Sequence, residues 1–141
     1  MFEKILLAVD LNQSKGKRRT ADAAIQLAQA NGAELHVLTV LPDTGLPVVS
    51  MSLPKDHTDQ IKTEAAQALA VWGKDVIPSD VNAVFHVGQG TIYDQIIKFS
   101  DALGIGAIVI GAHRPELKDY LVGPNSARVV RHATQSVFVI R

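Results

Sequence analysis

Two short stretches of this sequence carry residue types that can hold the parts of a phosphorylated ligand. The longer one joins Ile110-Gly111-Ala112-His113-Arg114-Pro115 to Val122-Gly123-Pro124-Asn125-Ser126 and runs into the apolar-periodic Val129, Val130 and Ala133. A glycine ending an apolar strand and another opening a helix let the backbone approach a phosphate closely, and the first N–H groups of a helix have no intrahelical partner. Arg114 offers a planar charged fork, and the side chains of Asn125 and Ser126 offer hydrogen bonds to phosphate oxygens. The same residues also fit plain punctuation, with Gly111 and Gly123 as turn glycines and Asn125 or Ser126 as an N-cap. The shorter stretch, Ala8-Val9-Asp10-Leu11-Asn12, brings an apolar run to an end on a carboxylate. Asp10 there suits a ribose hydroxyl, a Mg²⁺ ion escorting phosphates, or the capping of the following loop. Val40, ending another apolar run, suits either an adenine slot or the core.

The remaining candidates are weaker. Gly88-Gln89-Gly90 is a lone G-x-G without the third glycine of a dinucleotide fingerprint, and reads as a tight turn. Residues 15–19 (Lys-Gly-Lys-Arg-Arg) form a basic cluster at the start of a helical pattern, where positive charge opposes the helix dipole. They would attract phosphate or a partner, or form a solvated face. The five histidines, at positions 36, 57, 86, 113 and 132, have no ligand spacing, and without any cysteine a zinc site, thiol catalysis and disulfides are all disfavoured. No serine lies in a G-x-S-x-G elbow, so a hydrolase triad has no support.

These residues need a scaffold, and 141 residues with 47% hydrophobic and 20% charged side chains are enough for one packed domain over positions 1–141. Lys and Arg balance Asp and Glu at 14 each, so the global positive field of a dedicated nucleic-acid or anionic-membrane binder is missing. The first apolar run stops at Asp10, too short for a signal or a span, so the chain is expected to be soluble, unprocessed and cytoplasmic. Five apolar runs of strand length, at 5–9, 35–41, 81–87, 107–110 and 137–140, alternate with helical periodicity. Examples are Ile61, Ala65, Ala68, Leu69 and Trp72, and then Ile92, Ile96, Phe99 and Leu103. Near-continuous apolar strands imply burial on both faces, and helical crossovers imply parallel pairing. The expected fold is α/β: an open, five-stranded parallel sheet of order 3-2-1-4-5 with helices on both faces, Rossmann-like. Gly32 and Gly104 are expected to end helices and Thr91 to cap one. Residues 42–54, with three prolines and no period, read as one long mobile loop. Ligands of such sheets bind beyond the carboxyl ends of the strands where the order reverses, here between strands 1 and 4, which selects the two stretches above.

The chain resembles the universal stress protein family along its whole length. Ile5-Leu6-Leu7-Ala8-Val9-Asp10 is similar to the family's opening strand, His36-Val37-Leu38-Thr39-Val40 to its second, and residues 111–141 to its nucleotide motif, last helix and edge strand. The ATP-binding branch carries G-x2-G-x9-G-[S/T]. Here Gly111 and Gly123 match, Arg114 replaces the middle glycine, the interval is one residue shorter, and Pro124, which has no N–H, replaces the Ser/Thr. This G-x2-R-x8-G variant resembles a bacterial subgroup that binds adenine nucleotides. The resemblance implies that Ala8, Val9, Asp10 and Val40 surround adenine and ribose. It implies likewise that Gly111, His113, Arg114, Gly123, Asn125 and Ser126 hold the phosphates of ATP, ADP or AMP, with Ala112 and Ala127 also in the nucleotide site. It also implies a homodimer through residues 136–141, an apolar edge whose amides need partners.

The function expected from this reading is a nucleotide-dependent regulatory switch on a partner protein, for example a membrane transporter. A slow ATPase or nucleotidyl transferase is the alternative, disfavoured because only Asp10 and His113 offer themselves as a base. A flavodoxin-like or phospho-receiver domain shares the strand order but needs an FMN loop or a cluster of acidic residues beside a phosphorylatable Asp, and Asp10 has no adjacent acidic companion.

Overall fold

The computed structural model describes residues 1–12, 17–42, 55–112 and 123–141. The expected long loop, apart from Pro42, lies outside these residues. Strands β1 (Lys4–Ala8), β2 (Glu34–Leu41), β3 (Ala83–Gln89), β4 (Ala107–Gly111) and β5 (Ser136–Ile140) alternate with helices α1 (Lys17–Asn31), α2 (Lys55–Val76), α3 (Ile92–Leu103) and α4 (Pro124–His132). All neighbouring strands pair in parallel and the order is β3-β2-β1-β4-β5, as expected. Successive side chains of a strand point to opposite faces, so each buried strand feeds two cores. On one face Ile5, Leu7, Leu35, Val37 and Val109 pack against Ala21, Ala24, Ile25 and Ala28 of α1 and Leu69 and Val76 of α2. On the other, Leu6, Leu38, Ile108 and Ile110 pack against Ile96 of α3 and Val129 of α4. Burial on both faces is why these strands read as continuous apolar runs rather than alternating ones.

Local details follow and in places correct the sequence reading. Gly104 closes α3 at φ 70°, a left-handed turn that lets the Ile105 N–H reach Ser100 O at 2.9 Å. Gly90 turns β3 toward α3 at φ 133°, a conformation in which a side chain is strained. Thr91 does occupy the N-cap position of α3, but its side chain makes no capping hydrogen bond. The third apolar run also starts early, because Val81 lies before β3, in a turn where its N–H bonds Pro78 O.

The apolar stripe of α2 is only partly a core stripe. Leu69, Trp72 and Val76 pack on the sheet, whereas Ile61 is 37% exposed and Ala68 is exposed. The 22 residues of α2 span about 33 Å, while the seven of β3 span about 23 Å, so the helix outruns the strand it covers. Where the two do meet, a Cβ built on Gly73 would overlap the outer edge of the Phe85 ring. Gly73→Ala is therefore expected to destabilise by about 1–3 kcal/mol through overpacking, although alanine is the better helix former. Denaturation of Gly73→Ala, Phe85→Leu and the double variant checks this, the double variant recovering stability that neither position alone would supply.

β5 lies at the sheet edge. Val137 and Val139 face the α3 and α4 layer, while Phe138, 37% exposed, meets Phe2 edge-on with centroids 6.1 Å apart.

Candidate functional site

The order reverses between β1 and β4, and a cleft of about 250 Å³ opens beyond their carboxyl ends. One part is apolar, walled by Ala8, Val9, Leu38, Val40, Ile92 and Ile96. The other is polar, walled by Asp10, Asn12, Lys17 and Thr20 on the β1–α1 side and by Gly111, Gly123, Asn125 and Ser126 on the β4–α4 side. The sequence reading had assigned neither Lys17 nor Thr20 to this site, nor Leu38, Ile92 and Ile96. Their assignment depends on how α1 and α3 lie over the sheet.

The β4–α4 side is built for backbone chemistry. Gly123 is the N-cap of α4, at φ −64° and ψ 161°, and among the described residues no side chain makes a capping hydrogen bond there. Pro124 takes the first-turn position where a missing N–H costs nothing, which leaves the N–H groups of the following residues without intrahelical acceptors. The Ser126 hydroxyl donates to Gly111 O at 2.8 Å and ties the helix start to the strand end. A Cβ on Gly111 would come within 3.0 Å of Thr20 Oγ1, so this glycine also lets α1 close against β4. On the opposite side the Asn12 N–H donates to Asp10 Oδ1 at 3.0 Å, the loop-capping role open to a carboxylate there. Lys17 Nζ donates to Leu11 O at 3.4 Å.

Two assigned residues stand apart from the cleft wall. Ala112 is 5% exposed and spends its N–H on Ile140 O at 2.8 Å, while Ala127 is exposed and its N–H bonds Gly123 O at 2.9 Å. His113 and Arg114 lie outside the described residues. The residues present fit an adenine nucleotide: apolar walls suit the base, and an uncapped helix start suits phosphate. Among the described residues no three His, Asp or Glu side chains converge on a metal position. Magnesium is held by one or two carboxylates plus substrate phosphates, and Asp10 alone could give that single carboxylate.

Away from the cleft the fold assembles a histidine pair that spacing could not reveal. His36 Nδ1 lies 2.8 Å from His86 Nε2, across β2 and β3 and 50 positions apart. The Glu34 carboxylate lies 2.5 Å from His36 Nε2, in ion-pair range but not aligned as a hydrogen bond. The His86 ring also packs on Phe99 of α3, centroids 5.6 Å apart. Burial, then the neighbouring His36, pushes the His86 pKa below its ordinary 6.5, against an opposing pull from Glu34. A depressed value favours the neutral ring in the fold. Its contribution is thus complete above pH 6.5 and is lost as pH falls through the lower folded value. Denaturation midpoints of the native protein and His86→Gln, compared at pH 7.5 and 5, are expected to converge at the acid end.

The sequence profile of the universal stress protein family matches residues 1–141, the whole chain. The chain belongs to the universal stress protein family. Universal stress protein G of Salmonella typhimurium strain LT2 is 30% identical over 149 aligned positions covering all of both chains. Among solved structures, universal stress protein UspA from Lactobacillus plantarum superposes with a TM-score of 0.79 at 26% identity, covering 98% of this chain and 97% of that one. Two other universal stress proteins share the fold and are solved with nucleotides. One, from Archaeoglobus fulgidus, is a complex with dAMP (TM-score 0.65, 22% identity, 98% and 97% of the two chains). The other is a complex with cAMP (TM-score 0.64, 19% identity, 99% and 97%). Among the described residues of this universal stress protein, no helix is long and apolar enough to cross a membrane.

Proposed function

We propose that this universal stress protein binds an adenine nucleotide in the cleft between β1 and β4 and works as a regulatory switch on a partner protein rather than as an enzyme. The observation that carries the reading is the pairing, in one cleft, of apolar walls with the uncapped start of α4. Adenine would lie among Ala8, Val9 and Val40, with the ribose near Asp10. The phosphates would lie at Gly111, Gly123, Asn125 and Ser126, joined by His113 and Arg114 from the segment between them. Mg²⁺ would enter with the phosphates and take the Asp10 carboxylate. Relatives in complex with dAMP and cAMP support the ligand class. ATP is the ligand we favour within that class, with ADP and AMP as the alternatives.

The switch would run through a homodimer formed by the β5 edges. The described chain gives β5 a strand neighbour on one side only, and pairing with a second copy would satisfy the outer row of amides. Nucleotide changes affinity for a partner, such as a transporter at the cytoplasmic side of a membrane, only if it binds one conformation better than another, and this needs no turnover. Gentle purification, acid release and chromatography of any carried nucleotide, with calorimetric titration of ATP into stripped protein, tests the reading. Recovered adenine nucleotide with saturable rebinding supports it. A stripped, folded protein that binds no adenine nucleotide removes it, and steady release of ADP would replace the switch by a slow ATPase.

A further inference from the structure

Helix α1 begins Lys17-Arg18-Arg19 and has no acidic residue in its first turn, so three cations stand at the positive end of a helix dipole. Two of them are answered elsewhere: Arg18 pairs with Asp22 at 3.0 Å, and Arg19 donates to Arg141 O at 2.9 Å. Lys17 is different. It is half-buried on the cleft wall, and among the described residues its ammonium meets only a neutral carbonyl, Leu11 O, at 3.4 Å. Asp22, the nearest carboxylate in sequence, is taken by Arg18, and Asp10, which lines the same cleft, forms no ion pair with Lys17 among the described residues. Thr20 is three residues on, hence on the same face of α1, and that face is pressed against Gly111 at the end of β4. Lys17 thus lines the same cleft as Gly123 and Asn125 at the start of α4. A cation held against a helix dipole at a cleft wall, with no carboxylate paired to it among the described residues, gains most from an anion entering the cleft.

We propose that Lys17 is the residue by which this site reads the phosphate charge of its nucleotide. Its ammonium exchanges the Leu11 carbonyl for a phosphate oxygen, so that affinity rises with the number of phosphates. The inference rests on the nucleotide reading above and deepens it, by making the ligand class nucleoside polyphosphates over nucleosides.

Calorimetric titrations of adenosine, AMP and ATP at one fixed magnesium concentration test it, on the native protein, Lys17→Met and Lys17→Arg. The methionine keeps an apolar stem against the wall and removes only the charge. The native protein is expected to rank ATP above AMP above adenosine. Lys17→Met is expected to bind ATP about 10- to 100-fold more weakly, with adenosine affinity held and a shallower dependence on salt. Lys17→Arg is expected to keep the ranking. An equal loss for adenosine and ATP would assign Lys17 to holding the Leu11 loop, and no loss for ATP would remove it from the site; either overturns the inference while leaving nucleotide binding intact. A native protein that binds none of the three overturns both.

Discussion

Gly123→Val is expected to leave the fold intact and to weaken ATP binding by about 100-fold, a difference of about 2.8 kcal/mol. The structure makes the variant informative because Gly123 occupies extended backbone, φ −64° and ψ 161°, which valine adopts without strain. Its direct cost is that of a poorer N-cap, about 1 kcal/mol. The functional cost is different in kind. Gly123 is buried at the start of α4 on the cleft wall, and two methyl groups there would fill space before the first-turn amides, where the proposed phosphates would lie. Titration with ATP beside a thermal melt separates the two effects. Full affinity in a folded variant would take the phosphates away from α4.

Ile108→Ala is expected to lose about 2–5 kcal/mol of stability, out of a total of roughly 5–15 kcal/mol for a domain of ordinary stability. Ile108 is wholly buried in β4, between Leu6 of β1 and Val137 of β5, in the core capped by Ile96 and Val129. Truncation leaves a hole that parallel strands on both sides and helices above cannot collapse to fill. A fall in melting temperature on the order of 10 °C follows for a domain of this size. The matched control is Val71→Ala: Val71 is 71% exposed on α2, and its truncation is expected to stay within about 0.5 kcal/mol. Urea denaturation of the two variants side by side measures the contrast.

The cleft illustrates how much of a site is local. Gly111 and Gly123 could be picked out because each ends or begins an element whose period is visible in a few residues, and Asp10 because it terminates an apolar run. Strand order told which ends would meet. Lys17 was visible only as part of a basic cluster, since Arg18 and Arg19 are as basic and only the seating of α1 turns Lys17 toward the cleft. Ala112 follows Gly111 and Ala127 lies one helical turn after Gly123, yet their N–H groups serve Ile140 and Gly123.

The histidines make the same point. His36 and His86 have no spacing that marks them, because strands paired in parallel bring together positions whose separation depends on the length of everything between them. Gly73 reads as an unexplained glycine inside a helix until Phe85 is found beneath it. Ile61 and Ala68 carry the period of a buried stripe and are exposed, because a periodic pattern says which face is apolar and not how far the partner extends.

By itself, then, the sequence determined the five strands, their parallel pairing, their order and the place of the crevice where that order reverses, since these follow from periodicity and chain connectivity within single β-α units. Only the tertiary structure decided which side chains of α1 and α3 face that crevice, which histidines touch, and which glycines are demanded by a neighbour. Those depend on register and helix seating, which are set by the packing of all layers together and are not encoded at any one position.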